Sequence, residues 1–213
     1  MKVLPRKFYM NDTKQAAKDL LGKTLVRKIG KQVLSGVIIE TEAYKGKNDP
    51  ASHASRKKTE RNKIMFGEVG RAYVYFTYGM HYCFNVVAKK EEDESGAVLI
   101  RAIQPQQGIK HMVKNRKTGV ISNLTNGPGK LTQAMQITLK QYDLDLTKNS
   151  SLFIIDGEKP TKIMANPRVG IKTGIDKLWN FSYKIYFWLL LSSSSSVHGA
   201  ILPSIFSQFN RKR

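Results

Sequence analysis

Cysteine is almost missing from this chain. Cys83 stands alone among 213 residues, so no disulfide can form within the chain, and secretion gains no support. Acidic side chains are scarce as well: 16 Asp plus Glu face 36 Lys plus Arg, a formal net charge of +20. Such an excess attracts polyanions and speeds encounter with nucleic acid, whatever fold lies beneath. Charge alone does not separate DNA from RNA, or an enzyme from a ribosome-associated protein. Long apolar runs are also lacking. Ile185 to Leu191 is the longest, well short of the roughly 20 residues a helix needs to cross a bilayer. The opening Met1-Lys-Val-Leu-Pro-Arg-Lys7 has no apolar stretch of the signal-peptide kind. These absences lead to the expectation of a soluble intracellular protein with no membrane partner.

What is present suffices for a core. Apolar residues make up 41% of the chain, near the globular norm, and no long linker divides it, so one domain is expected. Asn11, Asp12 and Thr13 offer helix caps ahead of the stripe Ala16, Ala17, Leu20 and Leu21, and Gly22 suits the stop. Strands are expected over 24–28 and 33–41 around the turn Ile29-Gly30-Lys31. The polar stretch Lys45 to Lys63, with Asp49-Pro50 as a turn signal, reads as an exposed loop. Aromatic and β-branched residues over 72–78 and 82–88 predict two paired strands joined tightly at Gly79. Another strand is expected over 97–103, ended by Pro105, followed by a basic helix or turn near 109–117. Asn126-Gly-Pro-Gly-Lys130 reads as a loop feeding a helix, where backbone amides could bind phosphate. Further strands are expected over 151–156 and 183–190, with an irregular stretch between them.

Four features could carry chemistry. In Ile38-Ile-Glu-Thr-Glu-Ala-Tyr44, alternation along a strand puts Glu40, Glu42 and Tyr44 on one face. Two carboxylates there suit catalysis, or an edge strand whose Glu side chains simply meet water. Tyr73, Tyr75, Tyr78 and Tyr82 cluster in a basic chain, as bases that stack on tyrosine would require, or as a sheet core would. His53 stands in the polar loop, where a neutral imidazole can donate to a ligand or merely be solvated. Arg101, in the apolar strand Val98-Leu-Ile-Arg-Ala-Ile103, must be paired or face a cleft, and Glu40 or Glu42 is a natural partner. The four histidines are scattered without metal-ligand spacing, so neither metal nor cofactor is expected.

Taken in order and register, these segments resemble the alkyladenine DNA glycosylases, the methylpurine type of 3-methyladenine DNA glycosylase. The likeness is carried by Ile39-Glu-Thr-Glu-Ala-Tyr44, His53, Arg61-Asn62 with Met65-Phe66, Tyr73-Val-Tyr75, Tyr78-Gly-Met80 and Asn85. It continues through Leu99-Ile-Arg-Ala102, Asn126-Gly-Pro-Gly-Lys-Leu131 and Arg168-Val-Gly-Ile171. It implies a single mixed α+β domain, a curved, largely antiparallel β-sheet flanked by short helices. It also implies a monomer that acts on double-stranded DNA containing damaged purines and hydrolyses the N-glycosidic bond without a lysine Schiff base.

The resemblance assigns roles that spacing does not. Glu42 would be the general base, with Arg101 and the carbonyl of Val169 helping to hold the attacking water. Tyr44, His53, Tyr75 and Asn85 would line the base pocket, Asn85 crowding the 2-amino group of guanine. Tyr78, with Met80 beside it, would enter the duplex, and Gly127, Gly129 and Lys130 would meet the DNA backbone. A noncatalytic basic nucleic-acid-binding protein of the same fold is the alternative. For a bacterial source, the cytoplasm and its nucleoid would be the location.

After Phe187 the pattern departs from the family: Trp188-Leu-Leu-Leu-Ser-Ser-Ser-Ser-Ser196 replaces the usual turn and final strand. Residues 1–187 are therefore read as the glycosylase domain and 188–213 as an atypical Ser-rich and apolar tail, such as a shifted reading frame would produce. The stretch Lys172-Thr-Gly174 is also atypical for the helix expected after Ile171.

Overall fold

A computed structural model of the protein describes residues 2–183. The expected strand over 183–190 and the tail at 188–213 fall, apart from Tyr183, outside the described residues. After a single turn, α1 (Arg6–Tyr9), the amphipathic stripe forms α2 (Thr13–Leu20). Asp12 caps it, its carboxylate accepting from the amides of Lys14 and Gln15 at 3.0 and 3.3 Å. Beyond Leu21 the chain turns at Gly22, whose φ of +83° and tight approach to the Glu158 carbonyl leave no room for a side chain.

Strands dominate the rest. β1 (Thr24–Ile29) and β2 (Gln32–Lys45) form the expected hairpin, followed by β3 (Ala72–Thr77), β4 (His81–Val87) and β5 (Gly96–Gln107). β6 (Leu152–Ile155), β7 (Met164–Asn166) and β8 (Asn180–Ser182) complete the set among the described residues. The sheet order is β3-β4-β5-β2-β1-β6, every pairing antiparallel, with β8 joining β2 near its end and β7 flanking β8. The sheet curls, and the short helices α2, α3 (Ile109–Arg116) and α4 (Pro128–Ala134) pack against it. This is the expected α+β arrangement.

Alternation sorts the two faces. Along β3, Ala72 and Val74 enter the main core with Leu20, Leu25, Phe84, Ile100 and Leu131, while Tyr73 and Tyr75 join a second cluster with Ala54, Ile64 and Met65. Each fully buried Leu or Ile of the main core contributes roughly 1.5–3 kcal/mol relative to exposure. The sheet is therefore fixed mainly from the helix side, and its opposite face carries smaller apolar clusters together with aromatic and polar side chains.

Several expectations need correction. No helix follows Ile171, where residues 172–179 form only bends, turns and irregular chain, and the stretch expected to be irregular carries β7 and β8. β5 does not end at Pro105 but runs to Gln107, with Pro105 opposite Gly36 where the register slips. An irregularity of this kind tolerates a residue without an N–H donor. The loop over 45–63 is not simply exposed either, for Asp49, Ser52 and Asn62 are buried. Asn62 donates to the carbonyls of His53 and Lys57 and accepts from the Thr59 amide, so the loop satisfies its own backbone and can pack.

Candidate active site

A bulge builds the site. In the β2–β5 ladder Ile38 lies opposite Ile103, Glu40 opposite Ala102 and Thr41 opposite Ile100, which leaves Ile39 and Arg101 without direct partners. The side-chain parity of both strands therefore switches. Before the switch Ile38 points into the main core; after it Ala43 does, with Thr41 bonded to the Ala17 carbonyl of α2. Glu40, Glu42 and Tyr44 are thereby turned to the opposite face, and Arg101 is brought beside them.

Glu42 is completely buried. Its Oε1 accepts from the Val169 amide at 2.7 Å and from Asn180 Nδ2 at 3.1 Å, with Arg101 Nε 3.6 Å away. Its Oε2 accepts from the Tyr44 hydroxyl at 2.8 Å. Burial and the Glu42 charge both push the Tyr44 hydroxyl well above the ordinary tyrosine range, which keeps it a donor. Glu40 is less enclosed, and its Oε1 accepts from Arg101 Nε at 2.9 Å and from Asn180 Nδ2 at 2.7 Å. Four separate segments thus hold one carboxylate: β2, β5, β8 and the stretch through Val169.

The carboxylate lies one side chain behind the wall of a cavity of about 510 Å³. Tyr44, Arg101 and Val169 line this cavity together with His53, Tyr75, Asn85 and Tyr78. Tyr75 and Tyr44 each carry a guanidinium over the ring at 4.7 Å, from Arg61 and Arg168 respectively. His53 packs edge-on against Tyr75, and its Nδ1 lies 2.8 Å from the Tyr73 hydroxyl. Although one side of His53 meets solvent, burial of the ring and the nearby Arg61 push its pKa down to about 4. Asn85 ties its amide nitrogen to the Tyr73 carbonyl at 3.0 Å.

The β3–β4 hairpin rises at the cavity rim. Tyr78 and Gly79 both have positive φ, 51° and 65°, and the Met80 amide closes the turn on the Thr77 carbonyl. Tyr78 and Met80 are 80% and 70% exposed. Gly129, at the start of α4, packs closely on His81 just beyond this turn, and Pro128 reaches the cavity wall. Gly127 precedes them at the helix cap, and the Lys130 ammonium bonds to Asn123 and Asn126 of its own loop at 2.5 and 3.0 Å.

The structure therefore brings Arg101, Val169, Tyr44, His53, Tyr75, Asn85 and Tyr78 around one cavity, with Glu42 bonded to the wall from behind. Tyr73 also touches the cavity wall but offers no free stacking surface, since its ring is buried against Tyr75 and its hydroxyl meets His53. Sequence reasoning missed Asn180, which bridges both glutamates, and Asp49, a buried carboxylate that grips Arg168. Asn180 gave no signal, while Asp49 was legible only as a turn residue. Among the described residues, no three His, Cys, Asp or Glu side chains converge as metal ligands.

Known proteins resemble this chain over most of its length. The methylpurine-DNA glycosylase family matches residues 7–185. A protein of Prosthecochloris aestuarii is 49% identical over 82% of this chain and 84% of its own. Others from Carboxydothermus hydrogenoformans and Methanocella arvoryzae are 48% and 45% identical, over 85% of this chain and 95% and 92% of theirs. Each bears the name "Putative 3-methyladenine DNA glycosylase". On that match and those identities, the chain belongs to the methylpurine-DNA glycosylase family and is a DNA glycosylase, a hydrolase of N-glycosyl bonds.

Proposed function

We propose that this protein extrudes 3-methyladenine and related alkylated or deaminated purines from double-stranded DNA into the aromatic cavity and releases them with a Glu42-activated water. The observation that carries this reading is the buried Glu42 carboxylate, fixed by four segments behind a wall of Tyr44, Arg101 and Val169. Flipping a base costs a few kcal/mol, and less where the pair is already weakened. Tyr78 fills the gap in the stack, a reading supported by its exposure on a positive-φ turn beside the cavity.

In the cavity, a purine made cationic by alkylation stacks on tyrosine faces. His53, neutral at physiological pH because its pKa is pushed to about 4, can offer a hydrogen bond without repelling that cation. Glu42 Oε2 accepts one hydrogen bond, from Tyr44, and an ionised carboxylate oxygen has capacity for a second donor. Water bound there transfers its proton to Glu42 as its oxygen attacks the sugar C1′. The bond from C1′ to the purine nitrogen breaks with its electron pair going to the base, which leaves as a neutral 3-methyladenine. Glu42 also stabilises positive charge as it develops on the sugar, as carboxylates do in glycoside hydrolysis. Water is the nucleophile, so no lysine becomes attached to the sugar and the backbone stays intact.

The test is incubation with duplex oligonucleotides bearing 3-methyladenine or hypoxanthine, followed by alkaline cleavage of abasic sites. Release by the wild type but not by Glu42→Gln, with DNA binding retained, is expected. A folded wild type that binds DNA and releases neither base would overturn the proposal.

A further inference from the structure

Asp49 and Arg168 form a completely buried ion pair, remote in sequence and unexplained by base excision as described. Arg168 Nη1 and Nη2 each reach one carboxylate oxygen of Asp49 at 2.7 Å, and Nη1 also donates to the Ala43 carbonyl at 3.0 Å. The guanidinium is stacked against Tyr44 and Trp179, 4.7 and 5.1 Å from the ring centres. Asp49 in turn accepts from the amides of Lys45 and Ala51. Burying such a pair brings little net stability compared with apolar residues of similar volume, so stability alone is a weak reason for its presence.

Its position suggests another reason. Arg168 is followed by Val169, whose amide donates the shortest hydrogen bond that Glu42 receives. Ala43, which Arg168 also grips, lies between Glu42 and Tyr44 in β2. The surrounding chain over 167–174 has no regular secondary structure to hold it, only turns and bends. We infer that Asp49 and Arg168 are positioning residues: their forked pair pins the irregular 167–170 stretch against β2 and thereby fixes the Val169 N–H on the Glu42 carboxylate. This rests on the reading of Glu42 as the general base.

The consequence can be measured. A carboxylate that loses a fixed N–H donor is protonated more readily and wanders from its attack geometry. The groups facing Glu42 are Glu40 and Tyr44 from β2, Arg101 from β5, Asn180 from β8 and Arg168 beside Val169, with Cys83 of β4 close enough to sense its charge. None of these is altered by Asp49→Asn except through Arg168.

The experiment measures single-turnover base release across pH for wild type, Asp49→Asn, Arg168→Lys and Glu42→Gln, with rates normalised to DNA-bound protein. Normalisation removes loss of folded protein, and Arg168→Lys, which keeps the charge but not the fork, serves where Asp49→Asn does not fold. In the folded variants the acid limb is expected to move up by about one pH unit, with the rate at the optimum falling roughly tenfold. DNA affinity should stay at the wild-type value. An acid limb unmoved in both, with or without a lower rate, overturns the inference. Glu42→Gln separates the two layers: if it still releases base, the general base and this inference fall together. If it is inactive while the Asp49→Asn profile is unmoved, the inference alone falls.

Discussion

The two sides of the cavity are built on opposite principles. On one side Glu42 has no exposed surface and is held from β2, β5, β8 and the Val169 stretch. On the other side, the β3–β4 turn carries Tyr78 and Met80 into solvent on a backbone of positive φ. On the reading proposed above, the difference follows from the partner each side serves. A group that must meet a reacting atom gains from being fixed in advance in a dry, low-dielectric setting. A group that must enter a DNA duplex finds its contacts in the DNA, and before binding it is left to water.

That contrast can be broken most severely on the fixed side. Glu42→Gln keeps the shape but cannot accept the water's proton, so base release should fall by about a thousandfold. Affinity for undamaged duplex, measured in parallel, should be unchanged, and a comparable loss of binding would mean that Glu42 serves the DNA contact instead. On the exposed side Tyr78→Ala should lower release from a matched duplex by about tenfold, or about 1.4 kcal/mol. The deficit should shrink when the damaged base is mispaired, since less energy is then needed to extrude it. An equal deficit on both substrates would argue against insertion. Tyr78→Gly separates function from stability: it relieves a positive-φ conformation worth about 1 kcal/mol to an L-residue. Its melting temperature should therefore not fall even as release does.

The same contrast marks how far the sequence could be read. The exposed side was legible: aromatic β-formers around Gly79 pointed to the hairpin, and the turn followed from the glycine's conformational freedom. On the fixed side alternation placed Glu40, Glu42 and Tyr44 together and suggested Arg101 as their partner, as found. Their shared face nevertheless depends on a bulge, where Ile39 and Arg101 drop out of the ladder, and no residue type announces it. Asn180 was invisible because β8 is three residues long and owes its place to pairing with β2. Asp49 looked like a turn residue because its partner lies 119 residues away. Local pattern reveals elements, whereas convergence from four segments belongs to tertiary structure. At Val169 the structure adds a contact that the sequence did not suggest, its amide donating to Glu42.

The smallest predicted effect tests where the two sides meet, at His53. Its ring packs edge-on against both Tyr73 and Tyr75, and Arg61, stacked on Tyr75, adds a positive charge nearby. Burial first, and Arg61 second, favour the neutral imidazole and bring its pKa to about 4. An unfolded chain holds its histidines near 6.5. Between those values the unfolded state binds the proton and the folded state does not, so this contribution to stability is complete above about pH 6.5 and fades as pH falls towards 4. Histidine NMR should show the His53 signal, assigned by its loss in His53→Gln, titrating near the lower value. Arg61→Gln should move that midpoint upward, because one of the two causes is removed while the burial persists. Base release between pH 6.5 and 8 should show no inflection traceable to His53. A midpoint near 6.5 in the wild type would mean that the ring is solvated like the hairpin tip rather than held like Glu42, and the boundary between the two sides would have to be drawn on its other flank.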